Sequence, residues 1–487
     1  MNSFKKKVLV SAVLAGMGAA AGAAHAVYLD PNGQGQALIY PYYSVQGGNN
    51  TYVSVVNTDS ANVKVVKVRF REGRNSREVL DFNLYLSPND VWTGAVIPAD
   101  SASATSGGRL ITADVSCTNP AIPSTGVDFR NYLYSGANDD GAGQGLDRSR
   151  EGYVEMIEMG TLNPAAAPGN AAVHGASGAP TCTGLTGQTV AAVAAAILAP
   201  TGGLNGTGTL INVNNGQDSG YNATALSNLT AAAIYFDIGN DTPNFGNADP
   251  VSVVVSGNRT YLSNWAATAI GRTSAVSSTI AHLNVYNEYV LDTATKSNTD
   301  WVMTFPTKSA YVTTAGATTP FTNKFTASGA CELMTFTFFN REERSVTPAG
   351  ADFSPLPPGA APSSLCWEST VVSIRNGTTH MPTGSTSGVL SSVNTTSITV
   401  TSGFQNGWAN MQFTGTNATT TGLTAVSGTT TNILTAATSA VAPVFLGLPV
   451  VGFMVRSFNN GTLAGNIQAN YGSAFEHKYR QSITPLP

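Results

Sequence analysis

Short runs of β-favouring residues, many of them alternating apolar and polar, dominate the first third of the chain. ALIYPYYSV (37–45), TYVSVVN (51–57), VKVVKVRF (63–70), VLDFNLYL (79–86), VWTGAVI (91–97) and RLITADV (109–115) are separated by clusters of Gly, Asn, Ser and Pro. A strand turns successive side chains to opposite faces, so alternation marks a sheet with one face in a core. Turn residues at short intervals join such strands antiparallel. YVEMIEM (153–159) continues the series after the loop NDDGAGQG (138–145). The pattern predicts an all-β or strongly β-rich chain built as an antiparallel β-sandwich, Ig-like in general architecture, in one or two modules.

The hairpin 63–86 is the most explicit element. Val66, Val68 and Phe70 share one face of its first strand, and Lys67, Arg69 and Arg71 the other. The second strand sets Leu80, Phe82, Leu84 and Leu86 against Asp81 and Asn83. Matching the apolar faces pairs Val68 with Phe82 and Arg69 with Asp81, with the turn near Arg74–Ser76. Charged residues are 11% of the chain, yet six of the ten from Arg69 to Glu78 are charged. The simplest reading is a solvated sheet face that also discourages wrong association.

Periodicity weakens between residues 161 and 250, a stretch rich in Ala, Gly, Thr and Asn that predicts a loop-rich insertion with a short helix at 189–199. LINVNN and AAAIYFDI are expected strands within it. Strand patterns return over 251–487 in VSVVV, DWVMTF (300–305), ELMTFTFFN (332–340), TVVSIRN (370–376), SITVTS (397–402) and VVGFMVRSF (450–458). LNVYNEYVLDTAT (283–295) reads as a helix. FSPLPPGAAPSS (353–364) is a Pro-rich loop, because Pro removes ladder donors.

The N-terminus alters the picture from fold to compartment. Lys5, Lys6 and Lys7, the apolar stretch 8–23 and the small-x-small site Ala24-His25-Ala26 compose a signal peptide over 1–26, with the mature chain starting at Val27. Removing those lysines takes the formal charge from -4 to -7. Later segments fall short of the roughly 18 apolar residues a spanning helix needs. The expected location is extracellular or at the cell surface, with the periplasm as the alternative. Cys117, Cys182, Cys331 and Cys366 then read as two disulfides, with Cys117–Cys182 and Cys331–Cys366 favoured because each closes one irregular Gly/Pro-rich excursion.

Candidate chemistry is sparse. The sequence contains no G-x-S-x-G, H-E-x-x-H or Walker motif, and His174, His282, His380 and His477 lie far apart. Glu155 and Glu158 sit three apart on a strand, which turns them to opposite faces. The acidic balance and lack of a basic stripe argue against nucleic acid. No cofactor is expected; the alternative is calcium on Asp237, Asp241, Asn247 and Asp249, although Asx-rich loops also form turns for backbone reasons. The basic set Arg69, Arg71, Arg74 and Arg77 and the acidic set containing Glu151 and Glu155 compose two complementary patches. They can close within one molecule, or dock head-to-tail with other copies or envelope components. Tyr40, Tyr42 and Tyr43 are aromatic candidates for stacking on sugars, against the commoner core role.

EVLDFNLYLSPNDVWTG, REGYVEMIEMG, TDWVMTFPTKSAYV, FTFFNREE, LCWEST and YGSAFEHKY resemble a group of uncharacterised exported proteins of Gram-negative bacteria. The resemblance implies export and a shared fold, and no activity. The reading at this level is a secreted structural or adhesive surface protein, such as a surface-layer, matrix or filament subunit. An extracellular polysaccharide- or ligand-binding module is the alternative, and a hydrolase assembled from distant residues comes third.

Overall fold

The computed structural model describes residues 25–175, 178–187, 191–346, 363–376, 386–400, 403–413, 422–463 and 467–484. The expected signal peptide up to residue 24 and most of the Pro-rich loop therefore lie outside the described residues, as does His380.

Thirteen strands make the N-terminal half: β1 Tyr28–Leu29, β2 Ala37–Ser44, β3 Asn49–Asn57, β4 Val63–Glu72, β5 Glu78–Leu86, β6 Val91–Pro98, β7 Gly108–Ile111, β8 Cys117–Asn119, β9 Val127–Asp128, β10 Glu151–Leu162, β11 Leu204–Asn212, β12 Gln217–Asn222 and β13 Thr224–Ser227. They form a seven-stranded sheet in the order β1-β13-β2-β10-β4-β5-β8 and a six-stranded sheet in the order β12-β11-β3-β6-β7-β9. The sheets sandwich one core, in which Tyr40, Val68, Phe70, Phe82 and Met156 meet Val53, Val55, Trp92 and Leu110, all buried. Residues 204–227, within the stretch expected to be a loose insertion, instead complete both sheets. β11 pairs with β3 along its whole length. Its Gly and Thr residues weaken the sequence signal, and the ladder partner supplies what propensity does not.

β4 and β5 pair as their alternation requires, Val68 opposite Phe82 and Arg69 opposite Asp81. The polar face, however, is not wet. Lys64, Lys67 and Arg69 are fully buried. The irregular segment 229–250 lies across this face, including AAAIYFDI, which forms no strand. A chain without a ladder leaves its carbonyls unpaired, and buried carbonyls need donors. The strand face supplies them. Arg69 donates to Pro243 O at 2.5 Å and to Asn240 O at 3.3 Å, Lys67 to Asp237 O at 3.4 Å, and Asn83 to Phe236 O at 3.1 Å. Lys67, Arg69 and Asn83 thus form a row of donors for a covering loop.

In the C-terminal half, Ser297–Thr304, Ser369–Arg375, Thr395–Thr399, Val451–Leu463 and Ile467–Glu476 form a five-stranded sheet. Thr395–Thr399 joins it parallel to Ser369–Arg375. A second sheet contains Asn284–Val290, Glu332–Asn340 and Asn406–Phe413. Trp301, Met303, Ile374 and Met454 pack against Phe336, Phe338, Ala409 and Met411 between these sheets. The reverse face of the five-stranded sheet gives Val302, Val371, Phe453 and Val455 to the N-terminal core. Phe453 stacks on Tyr221 with ring centroids 4.6 Å apart. The two sandwiches are joined through one sheet buried on both sides.

One helix expectation changes, and one helix arises where none was expected. Asn284–Val290 is a strand, held between Asn406–Phe413 and Lys478–Arg480, because Val285 and Tyr289 point into the core while Tyr286 and Glu288 point out. The eleven-residue helix Ala269–Thr279 arises from a sequence poor in helix formers. It is capped by Thr268, and its Thr273 and Ser274 hydroxyls bond the carbonyls four residues back. The short helix Ala191–Ala196 falls within the expected stretch. Disulfides join Cys117 to Cys182 and Cys331 to Cys366. Among the described residues, no helix is long and apolar enough to cross a membrane.

Candidate functional site

The strand NGWANMQF (406–413) buries Ala409, Met411 and Phe413 and turns Trp408, Asn410 and Gln412 outward. Its neighbours place Phe339 and Glu288 beside Trp408, and Thr337 and Tyr286 beside Asn410. The outer sheet face therefore mixes aromatic rings with amides and hydroxyls. Trp408 stacks on Phe339 at 4.2 Å with an interplanar angle of 8°, and Tyr286 lies 6.2 Å away. That stack fixes the indole while leaving it 42% exposed.

A groove of about 970 Å³ runs beside this face, bounded on the other side by the edge strand β12, its neighbour β11 and residues 474–478. Phe475 lines it with 45% exposure, and the Arg456 guanidinium lies over its ring at 4.7 Å. Asn222 donates to Glu476 at 3.1 Å, and Arg456 stands 3.8 Å from Glu288. With Lys478 the groove holds two cations and two carboxylates, a balanced set. Exposed aromatic rings in a concave polar setting make this groove the candidate interaction site.

The residues singled out from sequence lie elsewhere. Arg71 bonds Glu155 and Asp241, each at 2.9 Å. Arg74 donates to Ala142 O and lies over Trp367, and Arg77 stands 3.8 Å from Asp140. The Glu151 carboxylate accepts from Tyr42 and Ser392 and from the backbone N–H groups of Val393 and Asn394. Glu158 takes Lys64 at 2.9 Å. Arg71–Glu155 and Arg77–Asp140 thus join the two patches inside one molecule, while Arg74 and Glu151 find other partners there. In the calcium set, Asp241 holds Arg71, Asn247 caps the Asn244 amide, and Tyr235 donates to Asp237. Among the described residues, no group of three or more His, Cys, Asp or Glu is arranged to hold a metal ion. Tyr40, Tyr42 and Tyr43 are buried and offer no face to a sugar. Burial pushes the imidazoles of His282 and His477 down to about 3, so both stay neutral inside the C-terminal half.

A second cavity, about 810 Å³, collects Arg71, Arg77, Glu78, Glu155 and Asp241 near the hairpin turn. Burial, followed by the charge of Asp81, pushes the Glu78 carboxyl up to about 7 despite Arg69 at 3.1 Å. A carboxyl raised in the fold binds its proton more tightly than in the unfolded chain. Stability therefore falls as pH rises from the unfolded value toward about 7. Glu78→Gln is expected to raise the melting temperature at pH 8 by about 2 °C and to leave it unchanged at pH 4. Calorimetric scans at the two pH values check this; equal effects at both would remove the assignment.

No protein-family model, no curated protein and no solved structure matches this chain. The sequence reading did not reach the groove, although one signal was present. In NGWANMQF every second residue from Trp408 is polar or aromatic and every second residue from Ala409 is apolar. That is the signature of a strand with one face left for something other than the core.

Proposed function

We propose that the chain is an exported, adhesive surface protein that binds polysaccharide in the groove beside Trp408. The observation that carries this reading is the exposed aromatic pair, Trp408 and Phe475, set among Asn, Glu, Arg and Lys side chains in one groove. A pyranose ring has an apolar C–H face and a rim of hydroxyls. Aromatic faces cover the first, while amides, carboxylates and cations bond the second. The balanced charge of the groove favours a neutral polysaccharide over an acidic one. Two disulfides support an oxidising compartment. The alternative of a filament subunit assembled through the basic hairpin has less support, because those cations already have partners in the same molecule.

Affinity electrophoresis of the mature chain in gels containing soluble glucans, mannans, galactans or a charged control tests the reading. At least one neutral polymer is expected to retard the wild type. Trp408→Ala should weaken binding about thirtyfold, the scale of a central aromatic anchor, with an unchanged far-UV spectrum. Migration unaffected by every neutral polymer would overturn it.

A further inference from the structure

The first residue expected after processing, Val27, is fully buried. Its amide N–H donates to Val251 O at 2.8 Å, and its carbonyl accepts from Val253 N at 2.8 Å. Its side chain packs with Leu229, Phe245 and Ala248. The start of the mature chain is therefore threaded into the fold.

Asp249 stands beside it, two residues before Val251. Its own N–H bonds Leu229 O at 2.7 Å, and the Ala231 N–H donates to its carboxylate. The Oδ2 atom is buried and has no hydrogen-bond partner. Arg272 lies within electrostatic reach but donates to Ala248 O at 2.8 Å, and His25 is the other charged neighbour. Burial raises the Asp249 carboxyl above its ordinary range. The residue is half-buried, but a carboxylate oxygen shielded from solvent without a donor is costly.

Processing supplies one. Hydrolysis of the Ala26–Val27 bond by a leader peptidase consumes one water, leaving a carboxylate on Ala26 and an ammonium on Val27. It also removes His25 and vacates the space of Ala26, which is 2% exposed. The single amide donor becomes three. One remains on Val251 O and the others need acceptors, and Asp249, two residues before Val251, carries a buried oxygen that has none.

We propose that Asp249 is a docking site for the α-ammonium group created at Val27, so that removal of the leader completes the fold. This rests on cleavage after Ala26 and does not depend on the groove beside Trp408. The ammonium is paired in the fold, so its affinity for the proton is raised. The stability it contributes is full below the unfolded value of about 8 and is lost as pH rises through the folded one.

The test uses the exported mature chain. Intact mass gives the N-terminus, and acetylation of the α-amine by a succinimidyl ester, followed by mass spectrometry, gives its reactivity. The folded wild type should react about tenfold more slowly than the chain in urea, and Asp249→Asn should remove most of that protection. A chain that keeps His25 and Ala26 should be indifferent to Asp249→Asn in thermal unfolding, whereas the mature chain should lose about tenfold in its folding equilibrium constant. An N-terminus other than Val27, an α-amine equally reactive folded and unfolded, or an equal effect in both chains would each overturn the proposal. Where Asp249→Asn does not fold, the pH dependence of acetylation decides: a carboxylate partner raises the proton affinity of the α-amine above its unfolded value of about 8, whereas burial alone lowers it and would overturn the proposal.

Discussion

Arg148→Ala is expected to destabilise the protein by about 3–5 kcal/mol, because it strands two buried carboxylates. The Arg148 guanidinium donates to both Glu72 oxygens at 2.8 and 2.9 Å and to both Asp140 oxygens at 2.7 Å. None of the three side chains is more than 2% exposed. Its flat face lies 4.5 Å from the Tyr134 ring. Glu72 also accepts the backbone N–H groups of Arg74, Asn75 and Arg77, so this carboxylate shapes the turn of the charged hairpin. Burial works to raise the Asp140 carboxyl, but hydrogen bonds from Arg148 and Asn75 outweigh it and hold it at about 2. A depressed carboxyl contributes stability that is complete above its unfolded value of 3.8 and fades as pH falls through about 2. Urea unfolding of Arg148→Ala and Arg148→Lys at pH 7 measures the effect. Lysine, a point charge with no fork, should recover less than half. A loss below about 1 kcal/mol for alanine would show that the network is surface-like in strength.

The second large effect concerns Asp300, fully buried on the central strand of the five-stranded sheet. Its carboxylate accepts the backbone N–H groups of Gly388, Val389 and Leu390, the nearest at 2.8 Å. Four residues on, Glu151 from the N-terminal sandwich accepts Val393 and Asn394. The strap 387–394 is thereby hooked to both halves, and Asn49 ties its Leu390 carbonyl at 3.1 Å. Asp300→Ala leaves the Val389 and Leu390 N–H groups without an acceptor, while Gly388 keeps Ser373 Oγ at 3.0 Å, a loss of about 3 kcal/mol. Limited proteolysis should then cut first within 387–394, a segment resistant in the wild type. Cleavage elsewhere first would mean that the strap is held by its apolar contacts, chiefly Leu390.

Alternation in β4 and β5 together with the turn near Arg74–Ser76 was enough to read their pairing, because matched apolar faces allow every second register and the turn selects one. It could not say what covers the polar face, since the covering segment 229–250 has no periodicity. Its role appears only where its carbonyls meet Lys67 and Arg69. Nor could alternation separate a charged face that is wet from one that is buried, as both read alike along a strand. The groove was hidden for another reason. Its residues come from strands far apart in sequence, and VYNEY, read as a helix, would have scattered Tyr286 and Glu288 instead of aligning them beside Trp408. The pairing of the cysteines was read correctly from sequence proximity, although neither loop is wholly irregular: Cys117–Cys182 encloses β10, and Cys331–Cys366 encloses the strand Glu332–Asn340.

The sheet shared by the two sandwiches bears on how the chain acquires its shape. Asn49 closes on Leu390 across 341 residues, and Val27 on Val251. Contacts of such sequence separation form late, after the loop entropy between them has been overcome. The first sandwich lacks part of its core until Phe453 and Val455 have been synthesised. A nascent chain of this kind stays open for nearly its whole length, a state compatible with threading through a narrow translocation channel and exposed to aggregation while it lasts.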